Sequence, residues 1–142
     1  MKTINKIAFN EIESIPKLVK DFLNHQIEGF ENDTFSLENF AEKIHSKQNY
    51  FSTEKREILS ETIKSQLLNF KLTSKQTENL ENLKLKNTFT VTTGHQLNLF
   101  SGPAFFVYKI LQTIKTCSYL GQHFPDFNFV PIYWMASEDH DF

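Results

Sequence analysis

Two short polar segments carry the residues most able to do chemistry, and each follows a predicted strand. The first runs from Gly94 to Pro103, with its polar or small residues at Gly94, His95, Gln96, Asn98, Ser101 and Gly102. Backbone N–H groups at the start of a following helix, together with an imidazole, would suit a phosphate or a carboxylate. The segment is neither a G-x-G-x-x-G dinucleotide loop nor a P-loop. In the alternative interpretation its glycines only shape a turn and His95 is structural.

The second segment is Glu138-Asp139-His140-Asp141, near the end of the chain. The run Phe127 to Met135 before it is so apolar that a solvated charge run would be out of place. Carboxylates here could bind an amine, hold a metal or act as a base. The alternative is an exposed acidic chain end. Because the spacing of His95, His140 and these carboxylates matches no known ligand motif, we predict no metal site.

The chain that must position these two segments changes in charge content at Asn87. Residues 1–87 hold 13 of the 15 Lys and Arg residues and 13 of the 17 Asp and Glu residues. The first part must therefore expose much of its surface, whereas the second is mostly interior or site. We predict an α/β protein with a helical region over 1–87 and one strand-helix-strand unit of an incomplete parallel sheet over 88–142.

Helix signals recur through the first part. Apolar residues at helical spacing predict one helix from Pro16 to about Asn24 and a second after an N-cap at Ser36. A third should run from Ser52 or Thr53 to about Phe70. Thr73 and Gln76 form a capping box for a fourth.

In the second part, residues 88–93 alternate as a β-strand does, and 127–135 form a continuous apolar strand. Between them, Ala104 to Leu120 is apolar almost all round, which predicts a helix buried on more than one side and ended by Gly121. Lys109 is the one charge in the first part of this segment, Ala104 to Leu111, so it either extends to the surface or reaches a ligand. A crossover of this kind makes the strands parallel, so both polar segments should leave the same carboxyl edge, where such sheets bind ligands.

Composition limits the possible partners. The 142 residues are 39% hydrophobic and 23% charged with a net charge of -2, and no basic cluster predicts nucleic-acid binding. Cys117 is the only cysteine, so no disulfide framework is expected. With no signal-peptide pattern and no membrane-spanning run, we predict a soluble, cytoplasmic protein with no membrane partner. The 15 Phe residues could fill a core or belong to surfaces that more protein covers.

Three strings resemble the bacillithiol biosynthesis cysteine-adding enzymes, the cysteine ligases of that low-molecular-weight thiol pathway. They run from Thr90 to Pro103, from Phe106 to Ile110 and from Val130 to Phe142. The resemblance implies a Rossmann-like core, a C-terminal coiled coil that makes a homodimer, and the addition of cysteine to the amino group of glucosaminyl-malate. This chain would be the N-terminal portion of such an enzyme and inactive alone.

On that resemblance the catalytic candidates are His95, Asp139 and His140, and the binding candidates are Gly94, Gln96, Asn98, Ser101, Gly102, Glu138 and Asp141. The first segment would hold a phosphate or an activated carboxylate, and the second would hold the attacking amine. The cofactor stays open, with ATP implied by resemblance to nucleotidyltransferases. The competing hypothesis is a non-catalytic α/β interaction or nucleotide-binding module.

Overall fold

Five helices and two strands follow one another along the part of the chain that the structure, a computed structural model, describes: residues 5–31, 33, 36–96 and 102–137. They are α1 (Lys17–Leu23), α2 (Leu37–Lys47), α3 (Thr53–Gln66), α4 (Ser74–Asn82), β1 (Thr88–Gln96), α5 (Ala104–His123) and β2 (Asn128–Ala136). The predicted α/β class is confirmed. The chain divides into two compact units, residues 1–45 and 46–142. The domain boundary at residue 87, drawn on composition, stays a prediction.

In the first unit, Asn10 lies in a short 3-10 turn, Phe9–Glu11, and accepts two hydrogen bonds. Its carbonyl oxygen accepts a hydrogen bond from Lys20 Nζ at 3.0 Å, and its side-chain oxygen accepts one from Asn24 Nδ2 at 3.1 Å. Both donors belong to α1 or its C-cap, so these bonds fix the turn against the helix.

In the second unit, the predicted helix caps are present. Ser52 Oγ accepts from the Lys55 N–H at the start of α3, and Thr73 and Gln76 form the reciprocal capping box of α4. α3 ends at Gln66, however, four residues before the predicted end. The chain turns at Leu67, whose carbonyl accepts from the Phe70 N–H at 2.9 Å.

β1 and β2 pair in parallel from Thr88 opposite Asn128 to Gln96 opposite Ala136, which confirms the predicted crossover. β1 is three residues longer than predicted, so Gly94, His95 and Gln96 belong to the strand and not to a loop. The reason is that β2 continues beside them and offers Trp134, Met135 and Ala136 as partners.

Helices cover both faces of this pair. On one face, the Phe106 ring of α5 contacts the Tyr133 ring, with 5.5 Å between ring centroids. On the other, Leu80 and Leu83 from the end of α4 form a buried cluster with Val130 of β2. Side chains from α3, the turn after it and β2 surround that cluster: Ile63, Leu67, Leu72 and Ile132. The burial of these apolar side chains holds the layers together.

α5 departs from its prediction in two ways. It continues through Gly121 to His123, because Gly121 has no positive φ and the Phe124 N–H still bonds to the Leu120 carbonyl at 2.8 Å. It is also exposed along one apolar face, where Tyr108 is 71% and Leu111 56% exposed. The prediction that this helix is buried on more than one side is therefore wrong for the described residues.

A buried arginine sets the point where the sheet begins. Arg56 of α3 is 5% exposed, and its guanidinium donates to the carbonyls of Leu83 at 3.4 Å, Lys86 at 3.4 Å and Thr88 at 3.0 Å. These carbonyls span the turn between α4 and β1, so one side chain ties α3 to that turn. Burial lowers the pKa of Arg56, and the ring of Phe51 lies 5.6 Å from its guanidinium carbon.

We expect Arg56→Met to lower the free energy of unfolding by about 1 to 3 kcal/mol, because it leaves buried carbonyls without their donors. Lys64→Met is the matched control, since Lys64 is an exposed cation of the same helix. That change should stay within about 0.5 kcal/mol. Denaturant unfolding of both variants measures the difference, and equal midpoints would show that the arginine does not anchor the turn.

Candidate functional site

Gly94 lies near the carboxyl end of β1, where the paired strand leaves no room for a side chain. A Cβ at this position would lie 2.8 Å from the Trp134 carbonyl oxygen and 3.0 Å from the Trp134 Cβ. Because the first of these atoms is backbone, the strands would have to move apart to admit a side chain. Gly94 therefore has a packing role that the sequence did not reveal, in addition to its predicted place in the site.

His95, the next residue, is half-buried against the first turn of α5. Its ring centroid lies 5.1 Å from that of Phe105 and 6.1 Å from that of Phe106. Its Nδ1 is 3.1 Å from the Gln96 carbonyl oxygen, and its own carbonyl accepts from the Tyr133 hydroxyl at 3.4 Å. The imidazole is thus held at the carboxyl edge of β1 by aromatic contacts, as a positioned donor or acceptor should be.

Lys109, whose direction the sequence left undecided, is exposed and turns back towards β1. Its Nζ donates to the Gly94 carbonyl at 3.2 Å and lies 5.5 Å from the centre of the Phe105 ring. The signal was a single charge in an apolar helical segment, but the periodicity of a helix does not say which way a long flexible side chain extends.

The sequence predicts Pro103 at the first position of α5, but the helix begins at Ala104, one residue later. Gly102 has a φ of +63°, a conformation that suits glycine, and Pro103 is the N-cap residue, whose carbonyl accepts from the Phe106 N–H at 2.9 Å. Of the other candidates, Gln96 ends β1 opposite Ala136, the last residue of β2. The remaining candidates lie outside the described residues: Asn98, Ser101, Glu138, Asp139, His140 and Asp141.

The geometry therefore brings together His95, Lys109 and the ends of both strands. Since Gln96 and Ala136 are paired, β1 and β2 end side by side at one sheet edge, the kind of edge where such sheets bind ligands. Within the described ranges, no group of three or more His, Cys, Asp or Glu residues could hold a metal ion. The helices in those ranges include none with both the length and the apolarity to cross a bilayer.

Cys117, on the buried side of α5, is not placed for nucleophilic chemistry. It is 7% exposed, and burial raises the pKa of its thiol to about 11. The thiol therefore stays protonated near neutral pH, and the thiolate is the reactive form.

Comparison with known proteins identifies relatives over nearly the whole chain. The model of the family described as "Bacillithiol biosynthesis BshC, N-terminal Rossmann-like domain" matches residues 2–142. Proteins named "Putative cysteine ligase BshC" are 46% identical over 138 residues in Flavobacterium johnsoniae and 44% identical over 139 residues in Flavobacterium psychrophilum. Each of these matches covers 96% of this chain but only 26% of the relative. The chain thus spans about a quarter of their length.

A third relative with the same name, from Christiangramia forsetii, is 39% identical over 140 residues, which is 97% of this chain and 26% of the relative. No solved structure matches the chain significantly. The family model confirms the expected Rossmann-like fold.

We expect Gly94→Ala to destabilise the protein by about 1 to 3 kcal/mol, because the new methyl group forces the strands apart. Gly121→Ala is the matched control: a Cβ there meets nothing within 4 Å, and alanine in a helix stabilises it by up to about 1 kcal/mol. Thermal unfolding of the pair should give shifts of opposite sign. A parental melting temperature for Gly94→Ala would contradict the close approach.

Cys117 should resist alkylation at pH 8 in the native chain and react rapidly after unfolding, because only the folded state raises its pKa. Between about pH 9 and 11 the unfolded chain releases a proton that the folded chain keeps, so stability should fall as pH rises through this window. Residues 1–142 contain no other thiol, so the alkylation rate reports Cys117 alone. The Cys117→Ala variant should lose stability less steeply over the same window, and identical slopes would rule out the shift.

Proposed function

The chain belongs to the bacillithiol biosynthesis BshC family, and from that premise we propose that it forms part of a ligase that joins cysteine to the amino group of glucosaminyl-malate. The printed name of the relatives, a putative cysteine ligase, supports a ligase that uses cysteine. The amide bond and the glucosaminyl-malate acceptor come from the resemblance of the three strings described above.

The observation that carries this proposal is the parallel register, in which Gln96 lies opposite Ala136. An amide ligase must hold a carboxylate and an amine next to each other, which two segments leaving one edge can do. His95 is the proposed donor that stabilises negative charge on the carboxyl group during attack. Among the candidates outside the described residues, Asp139 and His140 are assigned to catalysis, and Glu138 and Asp141 to binding of the amine.

In this reaction the amine nitrogen bonds to the carboxyl carbon of cysteine, one carboxyl oxygen leaves and the nitrogen gives up its extra protons. A carboxylate oxygen leaves poorly from an unactivated acid, so we propose ATP as the activating co-substrate: a phosphoryl or adenylyl group of ATP is transferred to that oxygen, which then leaves as part of phosphate or AMP. The first-turn N–H groups of α5 and His95 are donors that suit a phosphate. Gln96, Asn98, Ser101 and Gly102 are the proposed binding residues around that group.

Several properties of the complete protein belong to the same proposal. We place it in the cytoplasm as a homodimer, with small-molecule substrates and without nucleic acid or membrane as a partner. Residues 1–142 alone should form no product, because a cleft that excludes water needs more walls than two strands and their helices supply.

A second candidate function is a non-catalytic α/β interaction or nucleotide-binding module. The exposed apolar face of α5, with Tyr108, Leu111 and Ile114 each at least half exposed, favours an interaction surface. The two candidate functions differ in one measurable property, because only the ligase converts substrates to product.

We expect His95→Ala to slow cysteine addition about a hundred-fold to a thousand-fold in a full-length context, the usual cost of losing one such donor. Asp139→Asn, which keeps the shape and removes the charge, should greatly reduce addition without changing the melting temperature. The assay is thiol product formed from cysteine and glucosaminyl-malate, with and without ATP.

The matched controls are His123→Ala and Asp126→Asn, since both residues are exposed and precede β2, away from the carboxyl edge. Both controls should keep parental turnover. If His95→Ala and Asp139→Asn also keep it at an unchanged melting temperature, the two segments do not form the site. If the parent itself makes no product under any condition, the non-catalytic module is the better account.

A further inference from the structure

Lys109 is an exposed cation in the first turns of α5 whose ammonium group lies beside the end of β1. The apolar first turns of α5, from Ala104 to Leu111, contain no other charged residue. Its Nζ donates to the Gly94 carbonyl at 3.2 Å, so this exposed side chain turns back to the end of β1. That carbonyl belongs to the residue before His95, so the ammonium group lies at the carboxyl edge where the two strands end.

The Phe105 ring connects this ammonium group to the imidazole. Lys109 Nζ lies 5.5 Å from the centre of the ring, and the His95 ring centroid lies 5.1 Å from it. An aromatic ring next to an ammonium group attracts the cation and displaces part of its water. The Lys109 ammonium group and the His95 imidazole therefore both lie near the Phe105 ring, at the edge where the two strands end.

An ammonium group has three N–H donors, and the Gly94 carbonyl accepts one of them. Among the described residues, Lys109 forms no ion pair with a carboxylate. A cation that is fixed in place by a backbone carbonyl, with donors to spare, is suited to an anionic oxygen group on a ligand.

We propose that Lys109 is a substrate-binding residue whose ammonium group binds an anionic carboxylate or phosphate group of one substrate beside His95. This deepens the proposed function and rests on it for the identity of the substrates. Three sources could supply the anion: the carboxylate of cysteine, the malate carboxylates of the acceptor, or a phosphate of ATP. The shared chemistry is a charge-assisted hydrogen bond to oxygen.

The test is steady-state kinetics of Lys109→Met in a full-length context, with each of the three substrates varied in turn. We expect the KM of one substrate to rise about ten-fold to a hundred-fold, the usual cost of a hydrogen bond to a charged group, while kcat changes less than the KM. The substrate whose KM rises identifies the source of the anion. Lys109→Arg, which keeps the charge, should restore most of the affinity.

Two further variants separate binding from structure. Lys115→Met is the matched control, because Lys115 is an exposed cation six residues further along α5, on a different face of the helix. Lys115→Met should keep the parental kcat and the parental KM for every substrate. Lys109→Gln retains an N–H donor for the Gly94 carbonyl but no charge, so it should fold normally and still show the raised KM, even if Lys109→Met unfolds.

Unchanged KM values in both Lys109→Met and Lys109→Gln would overturn the inference, as would a loss confined to kcat. Calorimetric binding of cysteine, glucosaminyl-malate and ATP, each alone, provides a readout that does not need turnover. If the parental protein binds one of these compounds but forms no product, the proposed reaction is wrong and the binding role of Lys109 is unaffected. If a Lys109 variant binds that compound as tightly as the parental protein does, the binding role of Lys109 is wrong.

Discussion

Parallel pairing of β1 and β2 along their whole length is the interaction on which the candidate site depends. A register that ended at Thr93 would leave His95 in a loop, free of the Tyr133 hydroxyl that now donates to its carbonyl. The pairing reaches Gln96 because Gly94 lets the backbone of Trp134 come within 2.8 Å of the position that a Cβ would take. At the other end of the strand, the guanidinium of Arg56 binds the Thr88 carbonyl and so fixes where pairing begins.

The edge produced by this pairing combines two kinds of chemistry. Phe105 and Phe106 contact the His95 ring, and the Lys109 ammonium group lies near Phe105 and bonds to Gly94. Electrostatic interactions are stronger beside apolar groups than in open water, which favours the half-buried His95, whereas the exposed Lys109 brings a positive charge to the same edge. The positions of His95 and Lys109 thus depend on a helix whose first turns are otherwise apolar.

Much of this arrangement could be predicted from sequence, and the exceptions have physical reasons. The change of period near Asn87 predicted the strands, and the crossover predicted their parallel direction. Gly94 and Gly121 were interpreted as a loop residue and a helix end, because glycine weakens strands and often ends helices. In the fold, Gly94 lets the backbone of Trp134 come close, and Gly121 lies where a Cβ would meet nothing within 4 Å. The burial of Arg56 could not be predicted, since an arginine in an amphipathic helix is usually exposed.

The central claim is that the ends of β1 and β2 belong to one substrate site. Amide hydrogen exchange followed by mass spectrometry tests it directly in a full-length context, with and without cysteine and glucosaminyl-malate. The account predicts that substrates slow exchange together in peptides covering residues 94–103 and 134–141, with no change over residues 17–47. Slower exchange elsewhere, with both of those peptides unchanged, would contradict it.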